Sequence, residues 1–325
     1  MRCLVVADLH YSLPQFDWLV SAAPLFDLVI FAGDALDVGS MVDFRAQIVV
    51  VKKYLALLTA QTRVIICSGN HDLDERNAEG EKISRWISEV RELGIACDGD
   101  GLAIGDTLFT VCPWWDGPLV KQRMTEQLRD AATGRLQRWI WVHHAPPTNS
   151  PTSWGGKRFF GDVDLVQWIT QYQPSMVISG HVHQSPFIPD GSWFDRLGST
   201  WVFNTGLQPG RPPTCIVLDF DEGKAFWLAA GDERAIDLKA PLQRPAARIE
   251  RPPAWLTSLG RIADPPRNAL PATQCDSVKY ASSAASVQLA TPLSGTTKDI
   301  NRRSTASASC VPKSVIKITA SRIES

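Results

Sequence analysis

The tetrapeptide Gly69-Asn70-His71-Asp72 has residue types that can do chemistry, and it follows a β-branched apolar run at 63–67. Such a run predicts a buried strand that ends in polar side chains. In open α/β sheets, this carboxyl edge is where ligands bind. Asn and His can hold a metal through a neutral atom, and His can also move a proton near neutral pH. A capped turn explains the tetrapeptide equally well, so its weight depends on similar junctions elsewhere.

Four further apolar runs in the chain end in the same way. Together, the five junctions supply two carboxylates, one asparagine and four histidines: Asp8, His10, Asp34, Asn70, His143, His181 and His183. Five of the six histidines of the chain lie in these junctions, and the sixth, His144, is adjacent to one of them. Because all of these polar residues lie at strand ends, we expect them to form one functional centre rather than to be unrelated histidines that pack in the core.

The elements that position these side chains alternate between strand and helix in the first part of the chain. Apolar residues recur at helical spacing over 41–59 and 79–93, with short apolar runs between them. This order favours a parallel sheet. From residue 95 the strand and helix patterns no longer alternate, and the residue pattern over 102–111 predicts a β-hairpin.

The five junctions, taken in order, resemble the calcineurin-like metallophosphoesterase superfamily over residues 1 to about 230. The matching blocks are Asp8-Leu9-His10, Gly33-Asp34-Ala35-Leu36-Asp37, Gly69-Asn70-His71-Asp72, His143 and Gly180-His181-Val182-His183. The resemblance implies an α/β fold, a four-layer α/β/β/α sandwich that holds two metal ions.

The resemblance also implies a role for each polar side chain. It assigns Asp8, His10 and His183 to a first metal, Asn70, His143 and His181 to a second, and Asp34 to a bridge between the two. It makes His71 a proton donor or transition-state contact, with Asp72 as the residue that orients it. A bridging carboxylate suits two cations roughly 3.5–4 Å apart, and mixed nitrogen and oxygen ligands favour Mn, Fe or Zn over Ca or Mg.

Three assignments keep an alternative. His143 and His144 compete for one ligand position, and the family pattern favours His143 because it comes first. Asp37 either orients a ligand or caps a helix. Trp114 and Trp115 either pack in the core or form an aromatic rim for a flat group.

Charge divides the chain into two parts, for which we predict a metallophosphoesterase domain at 1–240 and a tail at 241–325. The tail has twelve Lys and Arg against five Asp and Glu, so the domain carries a net charge of −8. We expect the Pro-, Ser- and Thr-rich tail to be mostly disordered. The acidic domain argues against a nucleic-acid partner, because a surface that binds nucleic-acid phosphates requires clustered Lys and Arg.

The seven cysteines form no C-x-x-C pair, which suggests a reducing compartment. The sequence has no apolar run long enough for a signal peptide core or a membrane span, so we expect a cytoplasmic protein without a membrane partner.

These observations predict a binuclear metal-dependent phosphoesterase that uses a metal-activated water to hydrolyse a small phosphomonoester or phosphodiester. Two narrower enzymes remain as alternatives: a cyclic-nucleotide phosphodiesterase and a DNA or RNA nuclease of the same superfamily. A non-catalytic scaffold is the third alternative, although such a relative is expected to lack ligands that are all present here.

Overall fold

The computed structural model describes residues 1–261, and the remainder of the predicted tail lies outside the described residues. The strands are β1 Arg2–Val6, β2 Leu28–Ala32, β3 Arg63–Cys67, β4 Glu75–Arg76, β5 Lys82–Ile83, β6 Gly101–Ile104, β7 Thr107–Val111, β8 Arg138–Val142, β9 Met176–Ser179, β10 Phe194–Leu197, β11 Thr200–Asn204, β12 Cys215–Asp219, β13 Lys224–Ala229, β14 Asp232–Asp237 and β15 Ala247–Arg248. The α-helices are α1 Leu13–Ala22, α2 Phe44–Thr59, α3 Arg85–Glu89, α4 Pro118–Thr133, α5 Val163–Tyr172 and α6 Ala254–Arg261. Among the helices described, none is long and apolar enough to span a bilayer.

Two mixed sheets form the centre of the fold. The first has the order β15-β14-β13-β12-β1-β2-β3, with β1, β2 and β3 parallel. The second has the order β10-β11-β9-β8-β7-β6, with β7, β8, β9 and β11 parallel. Their parallel strands are almost wholly buried and rich in apolar residues, as expected for strands that are covered on both faces.

Alternate residues of each strand point into different apolar layers. Val5 of β1 packs between the sheets with Ile140 of β8 and Ile178 of β9. Leu4 faces the opposite way, into the layer that contains α1 and α2, and Trp141 faces the layer that contains α4 and α5. The order of layers is therefore helix, sheet, sheet, helix, which confirms the predicted sandwich.

The predicted helix at 79–93 forms only in its second half. Residues 75–83 instead make the small antiparallel ladder of β4 and β5. The Asn77 side chain accepts hydrogen bonds from the backbone N–H groups of Glu79 and Glu81, which stabilises the turn between these strands. Helical structure then runs through α3 and a 3₁₀ turn at Val90–Leu93. The hydrogen bonds of this turn therefore determine the local structure, in place of the helix that the apolar periodicity predicted.

Ordered structure continues beyond residue 240, where the domain was predicted to end. In α6, the apolar residues Trp255, Leu256 and Leu259 are buried in the same layer as α1 and α2. The Trp255 ring lies 5.2 Å from that of Phe226, measured between centroids. Helix α6 is thus a packed exception within a segment predicted to be mostly disordered, and the domain boundary and the disorder of the remainder stay predictions.

Candidate metal centre

The carboxyl ends of five parallel strands deliver the polar side chains to one place. From the first sheet, β1 leads to Asp8 and His10, β2 leads to Asp34, and β3 leads to Asn70 and His71. From the second sheet, β8 leads to His143 and His144, and β9 leads to His181 and His183. The backbone N–H of His181 donates to both oxygens of Asp8, at 3.2 and 3.0 Å, so the two edges are joined directly at this point.

A first group consists of Asp8, His10 and His183. The Oδ1 atom of Asp8 lies 3.3 Å from Nε2 of His183 and 3.9 Å from Nε2 of His10. The two Nε2 atoms lie 3.1 Å from each other. Since each imidazole nitrogen presents either a lone pair or a proton, this convergence suits a shared cation or a shared proton.

A second group lies on the other side of Asp34. Its members are Asn70, His181 and His144. Nδ1 of His181 lies 2.9 Å from Oδ1 of Asn70, and Nε2 of His144 lies 3.1 Å from Oδ2 of Asp34. The same Asp34 oxygen lies 3.9 Å from Nε2 of His10, so this carboxylate lies between the two groups.

The sequence favoured His143 over His144 as the ligand, whereas the structure places His144 beside Asp34. His143 is buried with neither ring nitrogen hydrogen-bonded to another described residue, and its ring stacks on Trp115 at 4.9 Å and 7°. Nδ1 of His144 instead lies 2.7 Å from the Ala32 carbonyl oxygen, which turns Nε2 towards Asp34. Consecutive residues at the end of an extended strand point to opposite faces, so only one of the pair can face the centre.

Burial and neighbouring charges shift the pKa values of several side chains in the centre. Burial disfavours a charged His144, but the negative charge of Asp34, whose Oδ2 lies 3.1 Å from Nε2, outweighs burial and raises the pKa of His144 to about 10. Burial would raise the pKa of Asp34, and the charge of His144 instead holds it below its usual range. Burial lowers the pKa of His10 and lowers that of His181 to about 4, which leaves both rings neutral and able to act as ligands.

Three glycines leave room for these side chains. A Cβ atom on Gly33 would overlap the His144 ring, one on Gly69 would overlap the Asp34 carboxylate, and one on Gly180 would overlap that of Asp8. Several members of the centre also adopt left-handed backbone conformations, with φ of 56° at Asp8, 54° at Asp34 and 69° at His181. Non-glycine residues seldom adopt this region, and such residues cluster at functional sites.

Within the described structure, the hydrogen bonds of the Asp72 carboxylate go to backbone groups rather than to the His71 ring, which the family resemblance implied that it orients. Its buried carboxylate accepts hydrogen bonds from the backbone N–H groups of Asp34 and Gly69, both at 2.8 Å, and of Leu36 at 3.1 Å. Asp72 therefore fixes the junction after β2 against the junction after β3.

His71 itself lies at the open side of the centre. Its Nδ1 accepts a long hydrogen bond of 3.4 Å from the Val38 N–H and lies 3.9 Å from Oδ1 of Asp37. Asp37 does not cap α2, because the N-cap residue of that helix is Asp43. Of the two readings of Asp37, the structure therefore supports a position beside a site residue.

The two tryptophans divide between the two roles that the sequence left open. Trp115 contacts His143 and Trp168 and packs against the apolar layer of α4 and α5. The Trp114 ring lies 5.2 Å from that of His181 and 5.7 Å from that of His144, so it forms a wall of the centre. Three sets of side chains could each hold a metal ion, because their ligand atoms lie within 4.8 Å of one another: Asp8, His10 and His183; Asp8, Asp34 and His144; and His10, Asp34 and His71. The donor types favour transition metals.

Comparison with known proteins identifies the family of this chain. A comparison with curated proteins finds no match. Similar solved structures include TT1561 of Thermus thermophilus, at 14% identity and a TM-score of 0.47, with 73% of this chain and 99% of that chain covered. They also include the purple acid phosphatase PPD1 from yellow lupin seeds, at 13% identity and a TM-score of 0.47, with 76% and 57% covered. The phosphoesterase YfcE from E. coli has 14% identity and a TM-score of 0.38, with 74% and 100% covered. The family model described as calcineurin-like phosphoesterase matches residues 1–185, and the chain therefore belongs to that family.

Proposed function

We propose that this protein hydrolyses a phosphoester bond at a centre that binds two transition metal ions. The observation that carries the proposal is the position of Asp34. One of its carboxylate oxygens faces His10 of the first group at 3.9 Å and His144 of the second at 3.1 Å. A carboxylate between two sets of nitrogen and oxygen donors is suited to hold two cations at a short separation.

The proposed ligands are side chains from both sheets: Asp8, His10 and His183 for one ion, Asn70, His144 and His181 for the other, and Asp34 for both. When bound, such ions lower the pKa of a water molecule and neutralise charge on the phosphoryl oxygens. Mn, Fe and Zn all suit these donors.

His71 is the proposed proton donor to the leaving group. Its backbone N–H donates to Oδ1 of Asp34 at 2.8 Å, which fixes it beside the centre, and its ring lies 4.6 Å from that of His10. The backbone nitrogen of Val38 lies 3.4 Å from Nδ1, which leaves Nε2 as the ring nitrogen that can approach a leaving group, and proton donation from Nε2 requires the protonated ring. The side chain is 26% exposed, so a substrate can reach it.

The expected substrate is a small phosphomonoester or phosphodiester. The net charge of −8 over residues 1–240 favours this class over a nucleic acid, since a nuclease needs a cationic channel. A scaffold without activity remains the competing function, and it predicts that the bound metals support no turnover.

Metal reconstitution tests the proposal. The metal-free protein is loaded with Mn²⁺, desalted and analysed for metal, and is then assayed with p-nitrophenyl phosphate and bis(p-nitrophenyl) phosphate. We expect close to two ions per chain and metal-dependent release of p-nitrophenolate. Asp34→Asn, which removes the shared charge, should lower both the metal content and the rate. Full activity with one ion per chain would contradict the binuclear centre, and two ions without hydrolysis would support the scaffold.

A further inference from the structure

A small cavity adjoins the metal centre on the side of His181. Its volume is about 200 Å³, and its lining residues are Phe160, His181, Val182 and Gln184. Because His181 is also a member of the second ligand group, a phosphoester held at the centre would place its organic group close to this cavity. The volume is below the roughly 300–1,000 Å³ of sites for drug-sized ligands, so the cavity suits a single ring.

Phe160 reaches this cavity from a loop that is fixed by backbone contacts. The Phe160 N–H donates to the Ser153 carbonyl, and the Gly155 N–H donates to that of Arg158, both at 2.9 Å. A Cβ atom on Gly155 would overlap the Phe160 ring, so the absence of a side chain at this position lets the ring pack on the backbone. The ring is therefore held in place before any ligand binds, although it is 40% exposed.

The loop itself is joined to the site through Asn204. The buried side-chain amide of Asn204 donates to the carbonyl oxygens of Thr152 and Val182, at 2.8 and 3.1 Å. It thus connects the loop that carries Phe160 to the segment that carries His181 and His183. The distance between Phe160 and the metal centre is consequently fixed by the fold.

The aromatic lining of the cavity suits a flat aromatic group. Phe160 and His181 both contribute aromatic rings, and aromatic partners stack or meet edge to face. The Arg158 guanidinium lies over the Phe160 ring, 4.5 Å from its centroid, and places a positive charge beside an anionic ester.

We propose that the substrate of this centre carries an aromatic ring on its phosphoester oxygen, and that the ring binds in the cavity between Phe160 and His181. This inference rests on the phosphoesterase function proposed above. It makes Phe160 a residue that determines specificity, and it places the preferred substrates among aryl esters of phosphate.

Non-hydrolysable phosphonates test the inference through binding, without turnover. Calorimetry on the Mn²⁺-loaded full chain compares phenylphosphonate with ethylphosphonate, which share the anion and differ in the ring. We expect the wild-type protein to bind phenylphosphonate about 10-fold more tightly, the size expected for one aromatic pair. Phe160→Ala should remove this preference by weakening phenylphosphonate alone, and Phe160→Tyr, which keeps the ring, should retain it.

Phe159 provides the matched control. It is 41% exposed, adjacent in sequence, and packs on Trp154 rather than in the cavity, so Phe159→Ala should leave the preference unchanged. Metal content and the thermal midpoint are measured for each variant to show that the loop and His181 are intact. Equal or absent binding of the two phosphonates by the wild-type protein overturns the inference, as does a preference that survives in Phe160→Ala. Hydrolysis of p-nitrophenyl esters by the same preparation tests the phosphoesterase function separately.

Discussion

His143 and His144 are adjacent in sequence and occupy opposite environments. His144 lies beside Asp34 in the centre, whereas burial lowers the pKa of His143 to about 3 and its ring stacks on Trp115. The first histidine of the pair is thus part of the packing between a strand and a tryptophan, and the second is the proposed ligand.

Alanine substitution should separate these two environments. His144→Ala removes a proposed ligand and should lower the affinity of one metal site by about 100-fold or more, since even the loss of an outer partner reduces affinity by about 10–100-fold. His143→Ala should keep two ions per chain and lower the thermal midpoint, because it leaves a void beside Trp115. Elemental analysis and thermal unfolding measure both effects. Loss of metal from His143→Ala, with full retention in His144→Ala, would reverse the assignment.

The proposed role of His71 predicts a dependence on the leaving group. His71→Ala should retain two ions per chain and lower kcat by about 10²–10⁴-fold for esters of poor leaving groups, as expected for the loss of a general acid. The loss should shrink for p-nitrophenyl esters, whose leaving group needs little protonation. Steady-state kinetics over a series of esters provide the measurement. An equal loss across the series would indicate that His71 stabilises phosphoryl charge, and an emptied metal site would make it a ligand.

Helix α6 packs in the same apolar layer as α1 and α2. Trp255 contacts Phe26 and Phe226, and the Arg2 guanidinium lies 5.1 Å from its ring centroid. The segment that was predicted to be mostly disordered therefore contributes one apolar helix to the packed domain.

Truncations on either side of α6 should differ in stability. Ending the chain after residue 261 keeps the helix and should leave the thermal midpoint unchanged. Ending it after residue 245 exposes the apolar surface that α6 covers and should lower the midpoint. Trp255→Ala in the full chain should reproduce much of the loss, about 3–5 kcal/mol in the free energy of unfolding. Chemical denaturation checks the values, and equal midpoints for the two truncations would show that α6 contributes nothing.

Much of this arrangement could be predicted from the sequence, because β-branched runs mark buried strands and polar residues mark their ends. The helix at 41–59 was predictable for a similar reason, and α2 confirms it at Phe44–Thr59. The choice between His143 and His144 was not, since a shift of one residue exchanges the two faces of a strand. The short ladder at 75–83 depends on the Asn77 turn, and the packing of α6 depends on contacts that are distant in sequence.

The two sheets meet at the candidate metal centre as well as in the apolar layer between them. Asp8, Asp34 and Asn70 follow strands of the first sheet, whereas His144 and His181 follow strands of the second. Metal ions held by both sets would connect the sheets at their carboxyl edges.

Metal binding should therefore stabilise the folded domain. A ligand present at about 100 times its dissociation constant adds about 2.7 kcal/mol, which corresponds to a rise of about 5–10 °C in the thermal midpoint of a domain of this size. Scanning calorimetry with and without Mn²⁺ measures the change, and Asp34→Asn serves as the control that should respond less. An unchanged midpoint would mean that the ions do not bind the folded state preferentially.

The three glycines beside the centre limit which substitutions this protein can tolerate. Every other amino acid carries a Cβ atom, so at Gly33, Gly69 and Gly180 all nineteen replacements meet the side chain of a proposed ligand. None of the three glycines supplies a ligand atom of its own. Substitutions at these glycines should therefore abolish function as readily as substitutions of the ligands. Even the small residues alanine and serine should not be tolerated there. The proposed activity therefore depends on three positions at which no side chain can be accommodated.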